Sequence, residues 1–137
     1  MANGTIAFDT LTTSDLANTG TEKSIDTSYI FNGVAKAWID ISGDLASIPD
    51  SFNISSLDDD GTGDGGINLT SSMGSANYTI TASSEDNGAS ASITVHDLTQ
   101  GTKTASGYDF EVTFVNAGAN RTNTDCETMS AIHGDLA

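Results

Sequence analysis

The residues best suited to chemistry fall in one short run, DDDGTGDG at 58–65. Carboxylate oxygens in a glycine-rich loop are the hard ligands that Ca²⁺ prefers, which makes Asp58, Asp60 and Asp64 the candidate metal ligands. The spacing departs from that of a helix–loop–helix calcium loop. With Asp58 in first place, Gly63 is sixth and Leu69 twelfth, where a bidentate glutamate is needed. The same run serves as a hairpin turn whose Asp side chains accept backbone amides, and this is the reading the sequence favours. No other cofactor is implied.

The remaining reactive side chains are sparse. His96 and His133 are the two histidines and Cys126 the lone cysteine. Their spacings match no zinc signature, and one cysteine excludes an intrachain disulfide. Cys126 is expected to be a partly buried, unreactive thiol. His96 follows the alternating run Ala89, Ala91, Ile93, Val95 as one of its polar members, so it is expected to face solvent. No G-x-S-x-G elbow occurs, and 19 acidic residues single out no catalytic pair. The chain is therefore read as not an enzyme. The aromatic candidates for binding are Trp38 and Tyr29. Trp38 shares a strand face with Lys36 and Asp40, where it could stack on a sugar or pack in a contact between subunits. The contact is preferred, because an indole offers large area with a polar tip.

Charge narrows the partners. Four basic residues against 19 acids give a formal net charge of −15. Nucleic-acid backbones and anionic membrane surfaces need clustered Lys or Arg, so neither is a partner. No apolar run approaches the ~18 residues of a membrane span. The first ten residues, MANGTIAFDT, lack the basic and apolar segments of a signal peptide, so synthesis in a cytoplasm without export by that route is expected.

The elements that must position these groups read as strands. AKAWIDI (35–41) alternates Ala35, Ala37, Ile39 and Ile41 with Lys36, Trp38 and Asp40. SYIFNG (28–33) reads as a strand ending at an Asn-Gly turn that leads into 35–41 as a hairpin. Phe52 and Ile54 share a face, with Leu57 out of phase, at a bulge or at the end of the strand. Further strands are expected at 67–69, 78–82, 89–95, 110–114 and 126–132, with turns at 58–66 and 85–88 and polar loops at 100–107 and 116–125. No segment keeps a helical period for three turns, and 15–23 offers one turn at most.

About eight strands at such spacing predict one all-β domain over 1–137, an antiparallel β-sandwich of jelly-roll-like layout. An extended arm over about 1–12 precedes it, and Ile6, Phe8 and Leu11 are the arm's interface candidates. Leu, Ile, Val and Phe make up about a fifth of the chain, a thin core for its charge. Burial against other copies or a larger body compensates for this, so a homo-oligomer is expected, a trimer being favoured.

Three segments carry a resemblance: VAKAWID (34–40), SFNISSLDDDGTGD (51–64) and NLTSSMGSANY (68–78). Together they are similar to a small virion structural and tail-fibre-tip module of tailed bacteriophages. The opening GTIAFDTL (4–11) and the closing GDLA (134–137) resemble stand-alone members from marine and cyanobacterial phages. The connection 39–53 is longer and more acidic than the turn usual at that place. The resemblance implies a virion surface protein made in the host bacterial cytoplasm, without chemistry or cofactor, whose partners are other capsid or tail proteins. A capsid decoration or cement protein is the first expectation. A tail-fibre or appendage component for host attachment is the second. A carbohydrate-binding module on a host surface glycan, using Trp38 and Tyr29, is a third.

Overall fold

The alternation of AKAWIDI carries through to space: Ala37, Ile39 and Ile41 are buried while Trp38 between them is exposed. The structure, a computed structural model, describes residues 9–12, 24–85, 93–99 and 101–137. Ile6 and Phe8, the segment 15–23 and the turn at 85–88 beyond Glu85 lie outside the described residues, as do Ala89 and Ala91. Two compact units divide the chain, Met1–Val34 and Ala35–Ala137.

In the first unit, β1 (Thr10–Thr12) pairs antiparallel with β2 (Ser24–Asp26), placing Leu11 opposite Ile25. The described end of the arm thus pairs within its own chain. The next segment corrects the sequence reading, because 28–33 belongs to helix α1 (Thr27–Gly33) and not to a strand. Asp26 caps it: its Oδ1 accepts the Ser28 amide at 2.7 Å, satisfying an orphan donor of the first turn. Hydrogen bonding to Ser28 also holds the Asp26 carboxyl below the usual range. Val34 N–H closes the last turn on Ile30 O. No residue of α1 is buried. The Asp26 cap and the closing bond to Ile30 O favour a helical turn in this exposed segment.

The second unit holds β3 (Ala37–Ile41), β4 (Asp50–Phe52), β5 (Ile54–Gly61), β6 (Asp64–Leu69), β7 (Thr79–Ser84), β8 (Ile93–Leu98), β9 (Gly107–Val115), β10 (Arg121–Asn123) and β11 (Thr128–His133). One sheet runs β4-β3-β11-β7. In the other, β9 is central. It pairs with β8 along one edge, with β6 and β10 along the other, and β5 lies outside β6. All pairings are antiparallel, as the alternation predicts. The inward residues of both sheets form one core: Ala37, Ile39, Ile41 and Ile132 from the first, and Ile67, Leu69, Tyr108, Phe110 and Val112 from the second. These orders establish an all-β, sandwich-like fold and do not by themselves define a jelly-roll path. Tyr108 ties the sheets together, its hydroxyl donating to Ser130 Oγ at 2.7 Å. Burial pushes that phenol up to about 12. The expected loop 116–125 contains β10, because Asn116 Oδ1 accepts the Gly118 and Asn120 amides and folds the chain back onto β9.

Phe52 and Ile54 do not continue one strand face. Asn53 stands between them at φ 59° and moves the chain from one sheet to the other. Left-handed backbone is tolerated by Asn, whose side chain bonds locally. Here Asn53 Nδ2 donates to Lys36 O (3.0 Å) and Ser71 O (3.1 Å), and Oδ1 accepts Ser71 N–H (2.7 Å). Of the two readings of Leu57, the structure shows an irregularity and not a strand end: the register shifts between Ile54 and Ser56, and β5 runs on to Gly61. Asn53→Ala is expected to cost about 2 kcal/mol from the lost bonds and the left-handed backbone. Urea unfolding measures it, and a loss under about 0.5 kcal/mol would show that the corner holds without this side chain.

Candidate functional site

Pairing register builds an ordered grid on the outer face of the four-stranded sheet. Trp38 lies opposite Phe52 on one side and Ala131 on the other, and Ala131 lies opposite Thr81. The adjacent row runs Asp50, Asp40, Met129, Ser83. Because Ala37, Ile39 and Ile41 point inward, Trp38 and Asp40 point outward. Trp38 is 36% exposed, Phe52 54% and Met129 38%, a high exposure for such side chains side by side. A groove of about 380 Å³ runs across β3, β11 and β7, lined by Trp38, Asp40, Met129 and Ala131 among others. An aromatic row thus abuts an acidic pair. Asp40 and Asp50 are directly opposed, an unfavourable like-charge arrangement across strands. Asp40 Oδ1 is shielded from water and accepts no hydrogen bond. Lys36, two residues before Trp38, is buried just before β3, where its amide donates to Ile132 O.

Tyr29, the other aromatic candidate, is 73% exposed on α1, beside a shallow hollow with Ser28, Asn32 and Gly33. Leu11 is half exposed on β1.

The Asp-rich run forms the β5–β6 hairpin. Asp58 Oδ2 accepts Asn68 Nδ2 (2.7 Å), and Asp59 Oδ1 accepts the Gly61 amide (3.1 Å). Gly63, at φ 66°, fits against Val112 O and Thr124 N where any Cβ would collide, and its amide donates to Asp125 Oδ1 (2.6 Å). Among the described residues no three His, Cys, Asp or Glu side chains converge to hold a metal ion. The structure therefore does not bring Asp58, Asp60 and Asp64 together.

His96 is a correction. In β8 it lies opposite Val112, and Thr94 lies opposite Phe114, so Thr94 and His96 face the side of β9 that carries Val112, while Leu98 at the strand end is exposed. The reading from alternation is one residue out of phase at Thr94 and His96, because pairing with β9 set the register there. The imidazole stacks on Phe110 with centroids 4.9 Å apart, and neither ring nitrogen has a hydrogen-bond partner. Burial lowers its pKa to about 4, against the opposing pull of Asp97. Beside it a cleft of about 420 Å³ opens between β7 and β8, lined by Tyr78, Ile80, Leu98, Lys103 and Tyr108. Lys103 Nζ donates to Tyr78 O (2.9 Å) and sits 5.0 Å from that ring's centre. Cys126 is buried, and burial raises its thiol pKa.

Phe52 and Met129 are the members of the outer face that sequence reasoning missed. Their partnership with Trp38 rests on pairing between segments far apart in the chain, which no local pattern encodes. Among the described residues no helix is long and apolar enough to cross a membrane. No family model, curated protein or solved structure matches the chain.

Proposed function

We propose that this protein is a non-enzymatic structural component of a tailed-phage virion surface, docking on a neighbouring virion protein through the outer face of its four-stranded sheet. The observation that carries the docking is the exposed row Phe52–Trp38–Ala131 with Met129 beside it. Such a row in a chain of net charge −15 has more to gain from a partner than from water. The virion setting rests on the resemblance of residues 34–78 to phage modules. A decoration or cement role is the first form of the proposal: many copies bound to an assembled shell stabilise it by mass action. A tail-fibre or appendage role is the second, and the copy number per purified particle separates them, hundreds against a few dozen or fewer.

The double variant Trp38→Ser, Phe52→Ser is expected to stay folded, since both side chains lie outside the core, and to bind particles at least ~10-fold more weakly, as central interface aromatics do. Co-sedimentation with purified particles reads this. Unchanged attachment would refute docking through this face. A glycan array run with a Trp38→Ala control addresses the rival carbohydrate reading. The docking proposal expects no specific glycan.

A further inference from the structure

We infer that the free edge of β7 pairs with β7 of a second copy of this chain, antiparallel about a two-fold axis at Thr81, joining two four-stranded sheets into one of eight strands. The inference uses the edge of the sheet and leaves its outer face free, so it stands apart from the docking reading.

Two independent observations carry it. The first is an unguarded edge. Among the described residues β7 pairs with β11 alone, so its other side presents unpaired amides and carbonyls. Exposed edges are ordinarily blunted by charge or by shortness. Here β5 carries Asp58, Asp59 and Asp60, β8 carries Asp97, and β4 is three residues long with Asp50. By contrast β7 is six residues, TITASS, with neither charge nor proline. In a chain with 19 acids, this edge lets two copies meet without opposing carboxylates.

The second observation is the match of β7 to itself. Thr81 lies opposite the outward Ala131, so Thr79, Thr81 and Ser83 point outward, and all three are exposed. A joined sheet keeps outward residues beside outward residues, which places the axis on a residue of β7 and not between two. At Thr81 the axis sets Thr81 against Thr81, Thr79 against Ser83, and Ile80 against Ala82 of the second copy. Hydroxyl pairs and apolar pairs are favourable cross-strand neighbours. An axis at Ala82 would instead oppose Ile80 with Ser84. Continued past the strand, the register brings Glu85 to Asn77 of the second copy, an amide and not an acid.

Pairing also covers what one copy leaves open. Ile80 and Ala82 are half-buried at the cleft between β7 and β8, with Leu98 44% exposed beside them. The added strand brings a second Ile80 and Ala82 to the mouth of that cleft. On the outer side, the row Phe52–Trp38–Ala131–Thr81 runs on into its mate. A two-fold contact closes with two copies, so the assembly is a dimer.

The test is analytical ultracentrifugation of the full chain at submillimolar concentration, in moderate salt to screen the net charge of −15. A mass of two chains is expected, and a monomer or a trimer overturns the inference. Thr81→Asp sets two carboxylates against each other and is expected to weaken the dimer by ~10-fold or more. Ser55→Asp, which adds the same charge on β5, leaves it unchanged, as does the double variant Trp38→Ser, Phe52→Ser. Equal weakening by Ser55→Asp, or a monomeric Trp38→Ser, Phe52→Ser, places the contact elsewhere and overturns the inference. Register is read by cysteine crosslinking, with the parent as blank because Cys126 is buried. Thr81→Cys brings two thiols to directly opposed positions, with Cβ atoms about 4.5–5.5 Å apart. Ser83→Cys leaves its two thiols offset by ~13 Å along the strands. Under mild oxidation Thr81→Cys is expected to form a covalent dimer and Ser83→Cys very little. A Thr81→Cys rate no higher than that of Ser83→Cys overturns the two-fold at Thr81. Loss of the dimer leaves the docking reading intact, and particle attachment that ignores Trp38 and Phe52 leaves the dimer intact.

Discussion

Phe110→Ala is expected to cost about 3–5 kcal/mol and to leave much of the chain unfolded at 37 °C. Phe110 is fully buried on β9, the strand that pairs with β8, β6 and β10. Its ring does three jobs. It covers Gly65, its direct cross-strand neighbour, where an added Cβ would come within 3.1 Å of the ring. It stacks on His96 at 4.9 Å, and it meets Tyr108 at 6.4 Å in a tilted contact. Truncation therefore opens a cavity and strips a backbone segment of its lid. Two short-chain neighbours, Gly65 and Gly66, offer no side chain to fill the gap. Typical domains have only about 5–15 kcal/mol in hand, and a core this thin belongs at the low end. Urea unfolding followed by circular dichroism measures the loss. Tyr108→Phe serves as the comparison: it removes one buried hydrogen bond to Ser130, leaves that hydroxyl without its Tyr partner, and should cost about 1–2 kcal/mol. A Phe110→Ala loss no larger than that of Tyr108→Phe would contradict the central place given to this ring.

Acidification should weaken the fold in a window set by His96. In the folded chain its pKa is lowered to about 4 by burial, against 6.5 for an ordinary imidazole. Between those values the unfolded chain binds a proton that the folded chain refuses. Stability is therefore complete above pH 6.5 and declines as pH falls toward 4, by up to about 3 kcal/mol. Below that window the exposed Asp26 and Asp44 carboxyls, lowered mainly by hydrogen bonds from Ser28 and Ser42, begin to protonate and add a separate acid limb. A counter-effect runs through the whole range. Protonating carboxylates shrinks a net charge of −15 and relieves self-repulsion. His96→Phe separates the two, because it keeps the charge relief and removes the imidazole. The variant should lose the decline between pH 6.5 and 4 and match or exceed the parent at pH 7, where two unpaired ring nitrogens are replaced by carbon. Midpoints in urea at pH 7.5, 5.5 and 4.5 give the comparison. A decline of equal size in His96→Phe would assign the window to other groups.

Sequence patterning reached much of the sandwich and stopped at identifiable places. Ala37, Ile39 and Ile41, and Phe110 with Val112, face inward as their alternation predicts. The Asp/Gly run turns the chain as its residue types require. The helix at 27–33 was not legible, because Asn-Gly after an apolar run reads as a hairpin turn, while the Asp26 side chain that caps the Ser28 amide favours a helix start. The switch of sheets at Asn53 was hidden inside what read as one strand. In 93–98 the phase failed because the run holds apolar and polar residues of similar bulk on both sides, and pairing with β9 chose between them. The alternation gives Trp38 its outward face, while its cross-strand neighbour Phe52 and the Asp50 opposite Asp40 come from pairing that no local pattern encodes.

The amino-acid order alone settled that this chain is antiparallel β protein, which positions of its clearest strands turn inward, and that its surface is overwhelmingly acidic. Those properties are local or additive: a side-chain period of two and a sum of charges need no knowledge of neighbours. Folding alone decided which outward residues became neighbours. Asp40 met Asp50, and Trp38 met Phe52 and Ala131, through a register set by long-range pairing, and one residue of slip would have placed each of them on the opposite face.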